Sequence, residues 1–91
     1  MAKLLTEKEA AAKLQKVPGW ARKGVEISRL YTFSGFVAAM AFVNHVADLA
    51  ESMDHHPDIL IQYKKVKLTL STHSAGGLTD LDFTLARKID A

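Results

Sequence analysis

The apolar positions of this 91-residue chain change their spacing several times, and each change predicts an element. Thr6 with Glu9 three residues on is a capping-box pattern, and it leads into Ala10, Ala11, Ala12 and Leu14, a first helix that "VPGW" (17–20) ends. From Trp20 the period shortens to two. Val25, Ile27, Tyr31 and Phe33 alternate with Glu26, Ser28 and Thr32 as in a half-buried strand, and Lys23-Gly24 would turn a short strand near Trp20 back onto it. Ser34 is the expected N-cap of a long second helix. Its apolar residues form two seams, Phe36, Met40, Val43, Ala47 and Ala50 beside Phe42, Val46, Leu49 and Met53. So wide an arc suits a sheet on one side and a second subunit on the other. The polar stripe Asn44, Asp48, Glu51 and His55 would put Glu51 and His55 on one face if the helix reached that far.

Pro57 disfavours the helical region for His56, so this helix must stop at or just before His55 and His56. Ile59, Ile61 and Tyr63 then alternate as a strand, and Lys64-Lys65 reads as a tight turn. Val66, Leu68, Leu70 and Thr72 alternate against Lys67, Thr69, Ser71 and His73, which places His73 on the polar face at a strand end before "SAGG". A last helix is capped by Thr79 with Asp82 at its third position, stapled by Leu78 and Phe83, and striped by Leu81, Leu85 and Ile89. The order α-β-β-α-β-β-α predicts an α+β two-layer sandwich, a four-stranded antiparallel sheet with three helices on one face. No repeat or linker divides residues 1–91, so a single domain is expected.

Composition narrows the function classes. A chain this short buries only about 60–65% of its unfolded surface, so it is marginal alone or an oligomer. Twelve basic against ten acidic residues leave a net charge of +2, too little for a broad field that grips nucleic-acid backbones, and the Lys64 to Lys67 cluster reads as a solvated hairpin tip, short of the larger basic surface that nucleic acid needs. There is no cysteine, which removes thiolate metal sites and cysteine nucleophiles. The start "MAKLLTEKEAAAKL" turns charged too early for a signal peptide, and Asn44, His45, Asp48 and Glu51 interrupt the longest apolar stretch. No membrane span and a cytoplasmic location are therefore expected.

The chemistry concentrates in "ESMDHHP" (51–57), which carries two of the four histidines. Three readings compete. A metal site would use histidine and aspartate, but in an extended segment His55 and His56 point to opposite sides, and no His-x₃-His pair accompanies them, so none is expected. Polar residues at a helix C-terminus, where a cationic histidine gains about 0.3–1 kcal/mol from the dipole, are the structural alternative. An acid–base site draws on convergence: if the turn holding His55 and His56 lies beside the strand end carrying His73, three imidazoles can line one cleft, with Glu51 or Asp54 orienting them. Histidine titrates near pH ~6.5 and can give or take a proton at neutral pH. No serine has a recognisable nucleophile setting, and Gly76 and Gly77 lack a phosphate-loop context. Proton transfer on a small molecule is what this reading leaves.

Glu51, "HHP" at 55–57, Tyr63, His73 and Asp82 together resemble the signature of the pterin-4a-carbinolamine dehydratases, and "DHHP", "YKKVKLTLSTH" and "GGLTDLDFTLA" extend that similarity along the chain. The resemblance implies dehydration of a 4a-hydroxytetrahydropterin to the quinonoid dihydropterin, a lyase step in recycling the pterin of aromatic amino acid hydroxylases, with no metal or redox cofactor. It implies His55 and His73 as proton carriers, His56 holding the substrate near its hydroxyl, and Glu51 and Asp54 as orienting carboxylates. Pro57, and Ser71, Thr72 and Ser74 along the pterin ring, complete the implied site. A homodimer or homotetramer is implied too, with a protein-binding module, coactivator or assembly factor, as the alternative role. Ile59 stands where some members have an aromatic residue and Leu81 where some have arginine. The resemblance leaves Asp82 open to a purely structural role, since its place in the cap already explains it.

Overall fold

The computed structural model describes residues 2–91. Its elements are α1 (Glu7–Leu14), β1 (Ala21–Lys23), β2 (Glu26–Thr32), α2 (Phe36–Met53), β3 (Asp58–Gln62), β4 (Lys65–Leu70), a 3₁₀ turn (His73–Ala75) and α3 (Asp80–Asp90). The expected order is observed, and the strands form one antiparallel sheet ordered β1-β2-β4-β3. β4 shows why helices cover one face. Val66, Leu68 and Leu70 are fully buried while Lys65 and Lys67, which alternate with them, are exposed, so the period-two pattern of the strand becomes an inside and an outside. Ile27 of β2, Ala10 of α1, Ala39, Val46 and Ala50 of α2, and Phe83, Leu85, Ala86 and Ile89 of α3 share a single core with that inner face.

The capping boxes form at both predicted helix starts. Glu9 N–H donates to Thr6 Oγ1 at 3.1 Å and Thr6 N–H to Glu9 Oε1 at 2.9 Å, and Thr79 with Asp82 repeats the motif at α3. α2 differs at its start. The first helical bond runs from Ala39 N–H to Gly35 O at 3.1 Å, so Gly35, extended and without a side chain, takes the cap position expected of Ser34. Its buried stripe is also narrower than the two predicted seams: Phe36 and Ala47 face outward, and the core side is built from Ala39, Phe42, Val43, Val46, Leu49, Ala50 and Met53.

Both hairpin turns are displaced by one residue from their polar signals. The pairing of Lys23 with Glu26 puts Gly24 (φ +59°) and Val25 at the first tip, and the pairing of Gln62 with Lys65 puts Tyr63 (φ +56°) and Lys64 at the second. Val25 is therefore a turn residue and not the start of the strand. β3 does not share β4's buried face. It is an edge strand exposed throughout, Ile59, Leu60 and Ile61 included. The strand expected to reach His73 ends at Leu70, because Thr72 leaves the sheet to pair with Gly77 and the chain winds into the 3₁₀ turn.

α3 is fastened to the sheet at its last turn. Asp90 accepts hydrogen bonds from Trp20 Nε1 (2.8 Å), Tyr31 Oη (2.5 Å) and Arg29 Nη1 (3.1 Å), and the Arg29 guanidinium lies 4.8 Å from the centre of the Tyr31 ring. Burial, and then the bond to Asp90, push the Tyr31 phenol above its ordinary value of 10.0. The folded chain thus keeps a phenolic proton that the unfolded chain releases near pH ~10. Stability from this source is complete below that pH and is lost as pH rises above it. Urea denaturation between pH 8 and pH 11 is expected to show a falling midpoint in the wild type. Tyr31→Phe should begin less stable at pH 8 and decline less steeply.

Candidate active site

The end of α2 is a Schellman turn. Asp54 takes the left-handed conformation (φ +49°, ψ +42°), its N–H donates to Glu51 O at 3.2 Å, and His55 N–H reaches back to Ala50 O at 3.1 Å. Aspartate tolerates this backbone better than most side chains, and Pro57 two residues beyond His55 prevents resumption of the helix. The chain is thereby reversed under α2, and the two histidines separate. His55 is buried at 8% exposure, whereas the His56 side chain is 54% exposed.

His55 Nε2 lies 2.6 Å from Asp82 Oδ1, and Asp82 is wholly buried. The other carboxylate oxygen of Asp82 accepts from Thr72 Oγ1 and from Thr79 N–H, each at 2.9 Å. Thr72 Oγ1 is in turn 2.8 Å from Thr79 Oγ1. Since the Thr72 proton goes to Asp82, that contact is supplied by the Thr79 hydroxyl. A carboxylate only accepts, so the proton between His55 and Asp82 sits on Nε2, and Nδ1 is the nitrogen left for chemistry. Nδ1 has no partner among the described residues, yet no buried side-chain nitrogen or oxygen among them lacks one, so Nδ1 is reached by solvent.

The remaining candidates fall into distinct places. Glu51 Oε2 lies 2.5 Å from His56 Nε2, so the helix-borne carboxylate orients His56 and not His55, because α2 stops before His55 can share its face. Asp54 is exposed and serves the turn through its backbone. Pro57 is half-buried beside His56. His73 opens the 3₁₀ turn with an exposed side chain, directly after Thr72, whose hydroxyl is bound to the carboxylate of the His55 pair. Ser71 Oγ donates to Val25 O at 2.7 Å, Thr72 N–H and C=O are both engaged with Gly77, and Ser74 is exposed. His45, mid-α2, is exposed and apart from this cluster. Among the described residues, no group of three or more histidine and carboxylate side chains is spaced to hold a metal ion.

Asp82 has a double task that the sequence pattern half concealed. One oxygen closes the capping box of α3, and the other holds His55 from a residue 27 positions earlier. Thr72 joins the same network, a link with no local sequence signature. Asp82→Ala, which strands several buried polar groups, is expected to lower the unfolding free energy by about 2–4 kcal/mol. Asp54→Gly, which keeps the left-handed turn, should change it by less than about 0.5 kcal/mol. Urea denaturation of the two variants checks both.

The chain matches the family model described as pterin 4 alpha carbinolamine dehydratase over residues 3–91. A relative from Thermomicrobium roseum is 53% identical, covering 93% of this chain and 91% of its own, and one from Acidobacterium capsulatum is 54% identical, covering 96% and 95%. Both are provisionally named pterin-4-alpha-carbinolamine dehydratases. A crystal structure from Brucella melitensis, described as a transcriptional coactivator/pterin dehydratase, superposes with a TM-score of 0.90 at 39% identity over 94% of each chain. A pterin dehydratase-like protein described as a RuBisCO assembly factor in the alpha-carboxysome shares the fold, with a TM-score of 0.63 at 22% identity over 78% of this chain and 82% of its own.

Proposed function

Because this chain belongs to the pterin 4 alpha carbinolamine dehydratase family, we propose that it dehydrates a 4a-hydroxytetrahydropterin to the quinonoid dihydropterin and water. The observation that carries the reading is the buried His55–Asp82 pair with Nδ1 of His55 open to solvent. The reaction removes the proton on N5 and expels the hydroxyl on C4a, so that a C4a–N5 double bond forms as the C–O bond breaks. One group must take a proton while another delivers one to the departing oxygen.

His55 suits the first or the second of these tasks, since Asp82 fixes its ring and stabilises the imidazolium that forms when Nδ1 takes a proton. His73 is the other proton carrier in this scheme. Thr72 sets the start of its turn. His56, oriented by Glu51, holds and polarises the substrate near the hydroxyl. With Ser71 Oγ bonded to Val25 O and Thr72 committed to Gly77 and Asp82, these two residues would meet the pterin ring through shape and remaining backbone groups, and exposed Ser74 through its hydroxyl. Asp54 and Pro57 would act by fixing the turn that presents the histidines.

Residues 1–91 would work as one domain, in the cytoplasm, in the recycling of the pterin used by aromatic amino acid hydroxylases. Among the described residues no helix is long and apolar enough to cross a membrane. Exposed apolar residues on α2 (Phe36, Val37) and on β3 (Ile59, Leu60, Ile61) favour a homodimer or homotetramer. The same surfaces support the second reading, a protein-binding module that acts without catalysis.

Stopped-flow decay of a 4a-hydroxytetrahydropterin separates the two readings. Wild type should accelerate the spontaneous reaction, and His55→Ala and His73→Ala should each lose about 10²-fold or more in kcat. His56→Ala is expected to act more on KM. No acceleration by a folded wild type would leave the binding role in its place.

A further inference from the structure

A cavity of about 780 Å³ lies at the opposite end of α3 from His55, between the turn after α1, β2 and the last turn of α3. Asp82 and Asp90 are eight residues apart on α3, so the two places are separated by about 12 Å along the helix. Lys16, Arg29, Arg87 and Lys88 line the cavity, with exposed Pro18 and the edge of buried Val17 as its apolar wall. Among the described lining residues Asp90 alone carries a side-chain carboxylate, and its oxygens are already taken by Trp20, Tyr31 and Arg29. Among the described residues Lys16, Arg87 and Lys88 have no salt-bridge partner. The chain's net charge of +2 thus conceals a local excess of positive charge around one concave site.

Arg29 is the fixed member of this group. Its Nη1 bonds Pro18 O at 3.3 Å and Asp90 at 3.1 Å, and its guanidinium lies against Gly19, where a Cβ would come within 2.7 Å of Nη1. Gly19 also has φ +95°, so both its backbone and its missing side chain make room for the guanidinium. With Nη1 occupied, Nη2 carries N–H donors without a partner among the described residues. The dipole of α3 accounts for cations in its last turn, Arg87 and Lys88, but not for Lys16 from the α1 turn or Arg29 from the sheet. Pinned guanidinium, cations without a salt-bridge partner on two further elements and an apolar wall are the components of a pocket for an anionic group on a small organic body.

We propose that this cavity binds a small phosphate monoester, its phosphate among Lys16, Arg29 and Arg87 and its organic body against Val17 and Pro18. The proposal is independent of the dehydratase reading, because none of these residues belongs to the histidine network. Phenyl phosphate and inorganic phosphate, each titrated into the full chain at low and at physiological ionic strength, test it by ¹H–¹⁵N NMR. The expected result is saturable shifts at Lys16, Arg29 Nε and Arg87, stronger for phenyl phosphate, with the His55 signals unmoved. Combined Lys16→Gln and Arg87→Gln should weaken binding about tenfold or more, and the charge-matched pair Lys64→Gln and Lys65→Gln should leave it unchanged. Four results would each overturn the proposal: no saturation by roughly 10 mM phenyl phosphate, equal affinity for inorganic phosphate, shifts centred on His55, or equal losses in both double variants.

Discussion

The carboxylate of Asp82 holds three parts of this molecule together. It accepts from His55 at the end of α2, from Thr72 at the end of the sheet, and from the backbone of Thr79 at the start of α3. A buried charge without partners would cost several kcal/mol, so its burial is tolerable only because each oxygen is met by donors. That requirement ties the geometry of the histidine cluster to the integrity of the fold. In the proposed dehydration, an imidazole this well held would lose little freedom when the substrate arrives, as pre-organisation for proton transfer demands.

The surrounding elements serve this arrangement. The Schellman turn brings His55 inward and leaves His56 outside, so adjacent residues in the chain occupy different environments within 3.8 Å of backbone. Glu51, on the last turn of α2, reaches only the outer one. Divergent side chains with separate carboxylate partners are suited to two distinct tasks in one reaction, and poorly suited to a shared metal.

Much of the architecture was legible because its signals are local. The capping boxes at Thr6 and Thr79, the stop at Pro57 and the alternation of Val66, Leu68 and Leu70 each depend on a few neighbouring residues, and each is found where the pattern places it. Turn positions were less legible. Lys23-Gly24 and Lys64-Lys65 are the polar signals, but hydrogen-bond register between strands decides which residues lie at the tip, and register is a long-range property. The apolar alternation of β3 could not reveal that the strand stands at an edge. Within the site, the residue types were readable and the pairings were not: Glu51 with His56, Asp82 with His55, and Thr72 with both Asp82 and Thr79 depend on where chain ends meet in space.

Asp82 and Asp90 place an acidic anchor near each end of α3, and each anchor accepts from three donors outside the side chain itself. An α-helix turns by about 100° per residue, so adding or removing one residue between the anchors would swing one of them away from its donors. The length of α3 is thereby fixed as firmly as its composition. Point substitutions on its exposed side leave both anchors in register, whereas insertions and deletions within it do not. Variation in chain length among functional relatives of this fold should therefore collect in the turns, and spare the seven residues between the two aspartates.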